Sequence, residues 1–184
     1  MMEIRQAHSG DVETIVHWRA EAACWIAERG FDQWSSAGLD DEEFRRRVSE
    51  SVHNGETWMA VDRGELVGTI AIDHNPDPGL WSREEQEHAV IVHRMIVPRF
   101  ASGRGVGALL LLQAERIAEQ RGRMYIRLDA WTSNTELHDY YRNSKFRYVR
   151  TVNDHHTPSA ALFERRVWSV PLPAFPPTAG TCDP

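Results

Sequence analysis

Cysteine is scarce and unpaired in this chain. Of 184 residues two are cysteine, Cys24 in an apolar helical stretch and Cys182 in a proline-rich tail, and no CxxC pair exists. That excludes the usual thiol metal and redox motifs and makes Cys24 a small residue expected to be buried. Long apolar runs are also missing: none approaches the roughly 18–20 residues of a membrane span. The first residues, MMEIRQAHSGD, lack the basic-then-apolar order of a secretory leader. The nine histidines fall in no HxH or HExxH spacing, so no metal site is indicated. Internal repeats are absent as well. The expectation is a soluble, cytoplasmic protein without metal or membrane contact.

The chain is long enough for one domain with a sizeable core. We assign residues 1–170 to it and 171–184 to the proline-rich tail. The composition is 41% hydrophobic and 26% charged, with net charge −6. Residues 1–92 carry 8 Arg against 19 Asp and Glu, whereas residues 93–184 carry 13 Lys and Arg against 8 acids. The basic half suits an anionic ligand and the acidic half a cationic one. A net negative charge gives no nucleic-acid footprint, although the basic half leaves room for tRNA. The last strands or the tail are the surfaces through which a homodimer would form.

Glu3–Ala7 reads as a first strand. A helix capped by Ser9 or Asp11 runs to about Arg29 and stops at Gly30. In it Val12, Ile15, Val16, Ala22, Ala23 and Ile26 recur at helical spacing, and Trp18 and Trp25 share a side. After the loop FDQWSSAGL comes a second helix, DDEEFRRRVSESV, with Asp40 as its cap. Thr57–Val61 and Leu66–Ile72 make a hairpin about Arg63-Gly64. Residues 74–87 read as a polar, proline-containing insertion. His88–Val97 is apolar nearly throughout, the mark of a strand buried on both faces. A helix from Gly105 to Gln120 carries Val106, Leu109, Leu110, Gln113 and Ile117 on one face. Met124–Trp131 is a strand, Asn134 opens a helix, and Phe146–Val152 and Ala160–Val167 are strands joined by a loop holding Asp154, His155 and His156. The order implies an α/β domain with a mixed sheet.

Between the strand at 88–97 and the helix at 105–120 lies SGRGVG. A glycine-rich turn feeding a helix N-terminus is an anion site, because unpaired amides and the helix dipole point at the ligand and glycine removes the Cβ that would hold a phosphate away. The P-loop signature fails, since no G-K-[ST] follows. The dinucleotide fingerprint is met formally by GRGVGA, with Asp129 near the distance of its ribose-binding acid.

The stretch from Met95 to Val149 resembles the core of the GNAT superfamily of acyl-CoA-dependent N-acyltransferases. That family has a strand ending in Val, then [QR]-x-x-G-x-[GA] opening a helix, a second strand, an Asn, and a Tyr seven residues later. Val97, Gly105, Gly107, Asn134 and Tyr141 occupy those positions. The resemblance covers residues 2–168 in element order and is sharp over 90–152. Two positions depart from the pattern: Ser102 stands at [QR], and Lys145 stands where Gly usually precedes Phe146.

The resemblance implies a mixed, mostly antiparallel sheet flanked by helices. The strands at 88–97 and 124–130 would be its splayed parallel pair, opening a cleft for acyl-CoA, most simply acetyl-CoA. The pantetheine arm would pair with the backbone of Met95, Ile96 and Val97. The pyrophosphate would lie on Gly103, Arg104, Gly105, Val106, Gly107 and Ala108, with Asn134 also on the cofactor side. Arg99 or Arg104 would replace the contact missing at Ser102. A backbone N–H near Met95 or Ile96 would polarise the carbonyl, and Tyr141 would protonate the leaving thiolate. The general base stays open among Glu87, His88, His93 and Asp129. The acceptor, a small-molecule amine or a peptide, would lie against the N-terminal helices, their loop and the 74–87 insertion. There Trp34 and Trp81 are the binding candidates, with Asp129 and Trp131 at the end of the second cleft strand; rings and carboxylates suit a cationic amine.

Overall fold

The structure, a computed structural model, describes residues 2–34, 40–153 and 157–169. Its elements are β1 (Met2–Gln6), α1 (Val12–Glu28), α2 (Asp41–His53), β2 (Thr57–Asp62), β3 (Glu65–Asp73), α3 (Arg83–Glu87), β4 (Ala89–Ile96), α4 (Val106–Gln120), β5 (Tyr125–Trp131), α5 (Thr135–Asn143), β6 (Arg147–Thr151) and β7 (Ser159–Arg166). The seven strands form one sheet in the order β1-β2-β3-β4-β5-β7-β6. Every neighbouring pair is antiparallel except β4 and β5, which are parallel. The sheet of the sequence reading is therefore present, with its parallel pair where expected.

Helices cover both faces because strand residues alternate in side. On one face Ile70, Val90, Val92, Ile126, Leu128 and Phe163 pack against Val106, Leu110, Ala114 and Ile117 of α4 and against Tyr141 of α5. The face of α4 that is buried turns slightly from the expected one: Leu111, Ala114 and Ala118 are enclosed, while Leu109 and Gln113 are half-buried. On the opposite face Met59 and Ile96 pack against Ile15 and Trp18 of α1 and Phe44 and Val48 of α2. Asp40 caps α2 as expected, its carboxylate accepting from the Glu43 amide at 2.7 Å.

Residues 74–87 are not a plain loop. Ser82 opens the short helix α3 through a reciprocal capping box with Glu85. Leu80 and Trp81 fold beneath it against Ile91 and Leu162. The expectation for Cys24 also fails: its side of α1 faces solvent, and the thiol is exposed. The loop histidines His155 and His156, and the proline-rich tail, lie outside the described residues. Among the described residues no helix is long and apolar enough to cross a membrane.

Candidate active site

Strands β4 and β5 stay paired only from Ala89–Tyr125 to Val92–Leu128. His93 and Asp129 come next in that register, and there the strands part, although β4 continues to Ile96 and β5 to Trp131. The cause lies on the other side of β4. Ala71 of β3 faces His93 and Thr69 faces Ile96, so Ile70 alone opposes both Arg94 and Met95. This bulge, with Arg94 in the left-handed region at φ 47°, bends β4 and increases its twist away from β5. His93, Arg94 and Met95 are consequently half-buried, not enclosed on both faces as the apolar run suggested.

At the open end of β4 the chain turns through the glycine loop into α4. Gly105 caps that helix at φ 81° with no side-chain cap, so the amides of the first turn are unclaimed by a neighbouring side chain. A Cβ on Gly103 or Gly105 would meet nothing within 4 Å, which leaves a clear approach to those amides. Val106 is buried and anchors the turn, while Ala108 is exposed. The cradle thus fits a pyrophosphate by its backbone. The two side chains expected to replace the missing [QR] contact are engaged elsewhere. Arg104 pairs with Asp62, and Arg99 lies 4.4 Å over the Trp25 ring.

Gly107 is required for a different reason. A Cβ there would stand 2.2 Å from the Tyr140 hydroxyl. Relieving that contact means shifting the exposed Tyr140 ring, which shares an edge-on contact with Tyr141 at 5.4 Å. Gly107→Ala should therefore destabilise the fold by about 1–3 kcal/mol. In a Tyr140→Phe background the cost should fall by about 1 kcal/mol, as read from a double-mutant cycle of urea unfolding; equal costs in both backgrounds would remove Tyr140 as the cause.

Helix α5 packs Tyr141 into the α4-side core, near enough to Asp129 for that charge to act on it. Asn134 is its cap, its Oδ1 accepting from the Leu137 amide at 3.0 Å and its Nδ2 donating to Gln33 at 2.7 Å. Both ends of the Asn134 amide are thus occupied by the protein itself, so in this arrangement it shapes the site by starting α5. Two turns on, the Tyr141 ring packs against Phe146 and Phe163. Its hydroxyl makes no hydrogen bond among the described residues. It is also absent from the sealed, unpartnered side-chain atoms there, which are Trp81 Nε1 and Arg166 Nε. Burial pushes the phenol above its ordinary pKa, helped by Tyr140 and the charge of Asp129.

On the α1–α2 side of the cleft, His93 Nε2 lies 3.2 Å from Asp73 Oδ1. The same oxygen accepts from the Asn75 amide at 2.7 Å, which holds the carboxylate at the end of β3. Burial pulls the His93 pKa down, but the bond to Asp73 and the charges of Asp73 and Asp129 outweigh it, and the net shift is upward. Burial raises Asp129 above the carboxylate range despite His93 and the Ser159 hydroxyl, which donates to it at 2.5 Å. Asp129 therefore also braces the start of β7. Asp73 was not legible as a site residue; the one signal was an acid closing an otherwise apolar strand.

Two expectations are not met in place. Glu87 is exposed at the far, paired end of β4 and bonds Arg83. Four strand residues separate it from the splay, roughly 13 Å of β-strand; the neighbouring His88 sits at that end too. Trp81 is 3% exposed and lies between the guanidinium groups of Arg127 and Arg150, so it is core and not an acceptor-facing ring. Trp34, with φ 60°, packs half-buried on the α1–α2 core. Its loop reaches the end of β5: Asp32 accepts from Trp131 Nε1 at 2.7 Å and from Ser133 at 2.6 Å, and Arg29 bonds Glu136. Residues 29–33 are thus tied to the end of β5 and the start of α5.

The acetyltransferase (GNAT) family matches residues 16–146, and the chain belongs to that family of N-acetyltransferases. A curated relative, the uncharacterized N-acetyltransferase YesJ of Bacillus subtilis strain 168, is 28% identical over 142 residues, 76% of this chain and 78% of the relative. Among solved structures, a GNAT acetyltransferase from Streptococcus agalactiae aligns with TM-score 0.71 at 22% identity, over 90% of this chain and 95% of that one. The PaiA N-acetyltransferase of Thermoplasma acidophilum, solved in complex with coenzyme A, aligns with TM-score 0.68 at 19% identity, over 90% and 99%. At such identities the structural likeness speaks for the fold.

Proposed function

We propose that this protein transfers an acetyl group from acetyl-CoA to a primary amine of a small molecule or peptide by direct attack. The observation that carries the reading is the parting of β4 from β5 at His93 and Asp129, between an uncapped helix N-terminus and the unpartnered hydroxyl of Tyr141. Family membership and the coenzyme A held by the Thermoplasma relative support the donor.

Acetyl-CoA, when bound, supplies an acyl group activated as a thioester. The amides from Gly103 to Ala108 would hold its pyrophosphate, and the backbone of Met95 to Val97 its pantetheine arm. The bulge takes an amide near Met95 out of the β3 ladder, free to polarise the carbonyl. With hydrogen on Nε2 donated to Asp73, His93 keeps a lone pair on Nδ1 for the amine proton. The N–C bond forms as the C–S bond breaks; the amine proton goes to His93, and Tyr141 gives its proton to the departing sulfur. Burial raises Tyr141, but the same burial disfavours a free thiolate, so the transfer stays matched. Trp34, Asp129 and Trp131 would line the acceptor side.

Ser102 favours a variant of this reading with another donor, a longer acyl-CoA or an aminoacyl-tRNA. Calorimetry with acetyl-CoA, followed by thiol release over a panel of amines, tests the main reading: we expect binding and turnover. Binding with no turnover on any amine would point to a CoA-sensing module. Salt-dependent tRNA binding without CoA binding would point to the other donor.

A further inference from the structure

Arg94 is the most anomalous residue of the cleft. It is not glycine, yet it holds a left-handed backbone at φ 47° at the bulge, a conformation that is strained for a residue with a Cβ. Its side chain is half-buried and makes no hydrogen bond or ion pair among the described residues. The two buried arginines differ in this respect: Arg127 is neutralised by Glu164 at 2.8 Å and Arg19 by Asp41 at 3.0 Å. A desolvated cation without a direct partner is costly, and burial accordingly pulls Arg94 below the usual arginine range.

Apart from the adjacent His93, whose protonation Arg94 opposes, the charged groups facing Arg94 come from three places. Asp73 on β3 attracts it, but that carboxylate is held by His93 and the Asn75 amide. Glu56, before β2, attracts it from beyond ion-pair distance, and Arg47 of α2, itself bonded to Glu43 at 2.8 Å, repels it. All three stand on the α1–α2 side, which is the acceptor side of the proposed site. The bulge that splays the cleft therefore also carries a cation there, adjacent in sequence to the proposed base.

We propose that Arg94 receives an oxyanion of the acceptor, so that the preferred acceptor is an amine that also carries a carboxylate or phosphate. A planar guanidinium takes such a group through two parallel hydrogen bonds. Anchoring the acceptor by its anion presents its amine to His93. The proposal rests on the N-acetyltransferase reading and narrows its acceptor.

The test compares matched acceptors with acetyl-CoA by thiol release: glycine, β-alanine and γ-aminobutyrate against their amides, and phosphoethanolamine against ethanolamine. The wild-type enzyme should prefer the anionic member of at least one pair by roughly 10- to 100-fold in kcat/KM. The pairs that show the preference identify carboxylate or phosphate. Arg94→Gln should abolish it by lowering kcat/KM for the anion alone, and Arg94→Lys should restore part of it. Arg94→Gln should also keep or raise Tm, since it removes an unpartnered buried charge. If instead Arg94→Gln lowers Tm and leaves the anion-to-neutral ratio unchanged, Arg94 only braces Asp73 and Glu56 and the proposal is wrong. Acetylation of neutral and anionic amines alike would also overturn it while leaving the acyltransferase reading intact. Acetyl-CoA binding without acetylation of any amine would remove both. Should Arg94→Gln not fold, the wild-type ratios and Arg94→Lys decide.

Discussion

Replacing Tyr141 by Phe should lower kcat by about 10²–10⁴-fold, the range for loss of a positioned proton donor, while leaving acetyl-CoA affinity and Tm close to wild type. The structure separates these effects. The Tyr141 ring packs against Phe146 and Phe163, and phenylalanine keeps that packing. The hydroxyl has no partner among the described residues, so its loss strands no buried group and costs little stability. Because burial holds the phenol well above its usual pKa, Tyr141 stays protonated through the working range and contributes no limb to the wild-type pH profile. Steady-state rates and calorimetry on the two proteins check this. Full turnover by Tyr141→Phe across the pH range would sink the acid assignment. Tyr140→Phe is the companion variant, because Tyr140 is adjacent and its hydroxyl sits over Gly107; its turnover should stay near wild type.

His93→Gln should cost a similar factor, about 10²–10⁴ in kcat/KM, and should remove the acidic limb of the pH profile. As a base His93 works in its neutral form. Burial lowers its pKa, but Asp73 and Asp129 raise it further, so the wild-type rate should climb to a plateau only above the ordinary histidine value. Asp73→Asn takes away the nearest negative charge, so its limb should move to lower pH while the plateau falls through loss of ring orientation. A limb that stays in place in Asp73→Asn would separate that carboxylate from the titrating group. The same raised pKa is linked to stability. The imidazolium favours the folded state, so its contribution is complete below the unfolded histidine value of about 6.5 and is lost as pH rises through the higher folded value. Unfolding free energies of wild type and His93→Gln should therefore differ most at acidic pH and converge in mild alkali.

The legible parts of this site are those made by neighbours in sequence. SGRGVG lies between a strand and a helix, and a glycine that caps a helix in the left-handed region can be read without knowing what packs around it. Asn134 and Tyr141 are placed by one helix, so their spacing carries their relation. The reading failed where exposure depends on distant chain. Trp81 stood among prolines and acids and looked like a surface ring, yet Arg127 and Arg150, 46 and 69 positions away, enclose it. Glu87 and His93 are close in sequence, but an extended β-strand puts His93 at the splay and leaves Glu87 beyond the paired end of β4.

By itself the sequence determined the order of the elements apart from the short α3, the mixed sheet and the glycine turn before α4, because helical and strand periodicities and a glycine turn are local properties of the chain; Tyr141 stands out only through the family resemblance. Tertiary structure alone decided which groups meet. The β3–β4 register sets Asp73, 20 residues from His93, within hydrogen-bonding distance, and one extra residue in β4 puts Arg94 in a left-handed backbone where β4 leaves β5. A bulge is a mismatch between two strands, so neither strand encodes it alone.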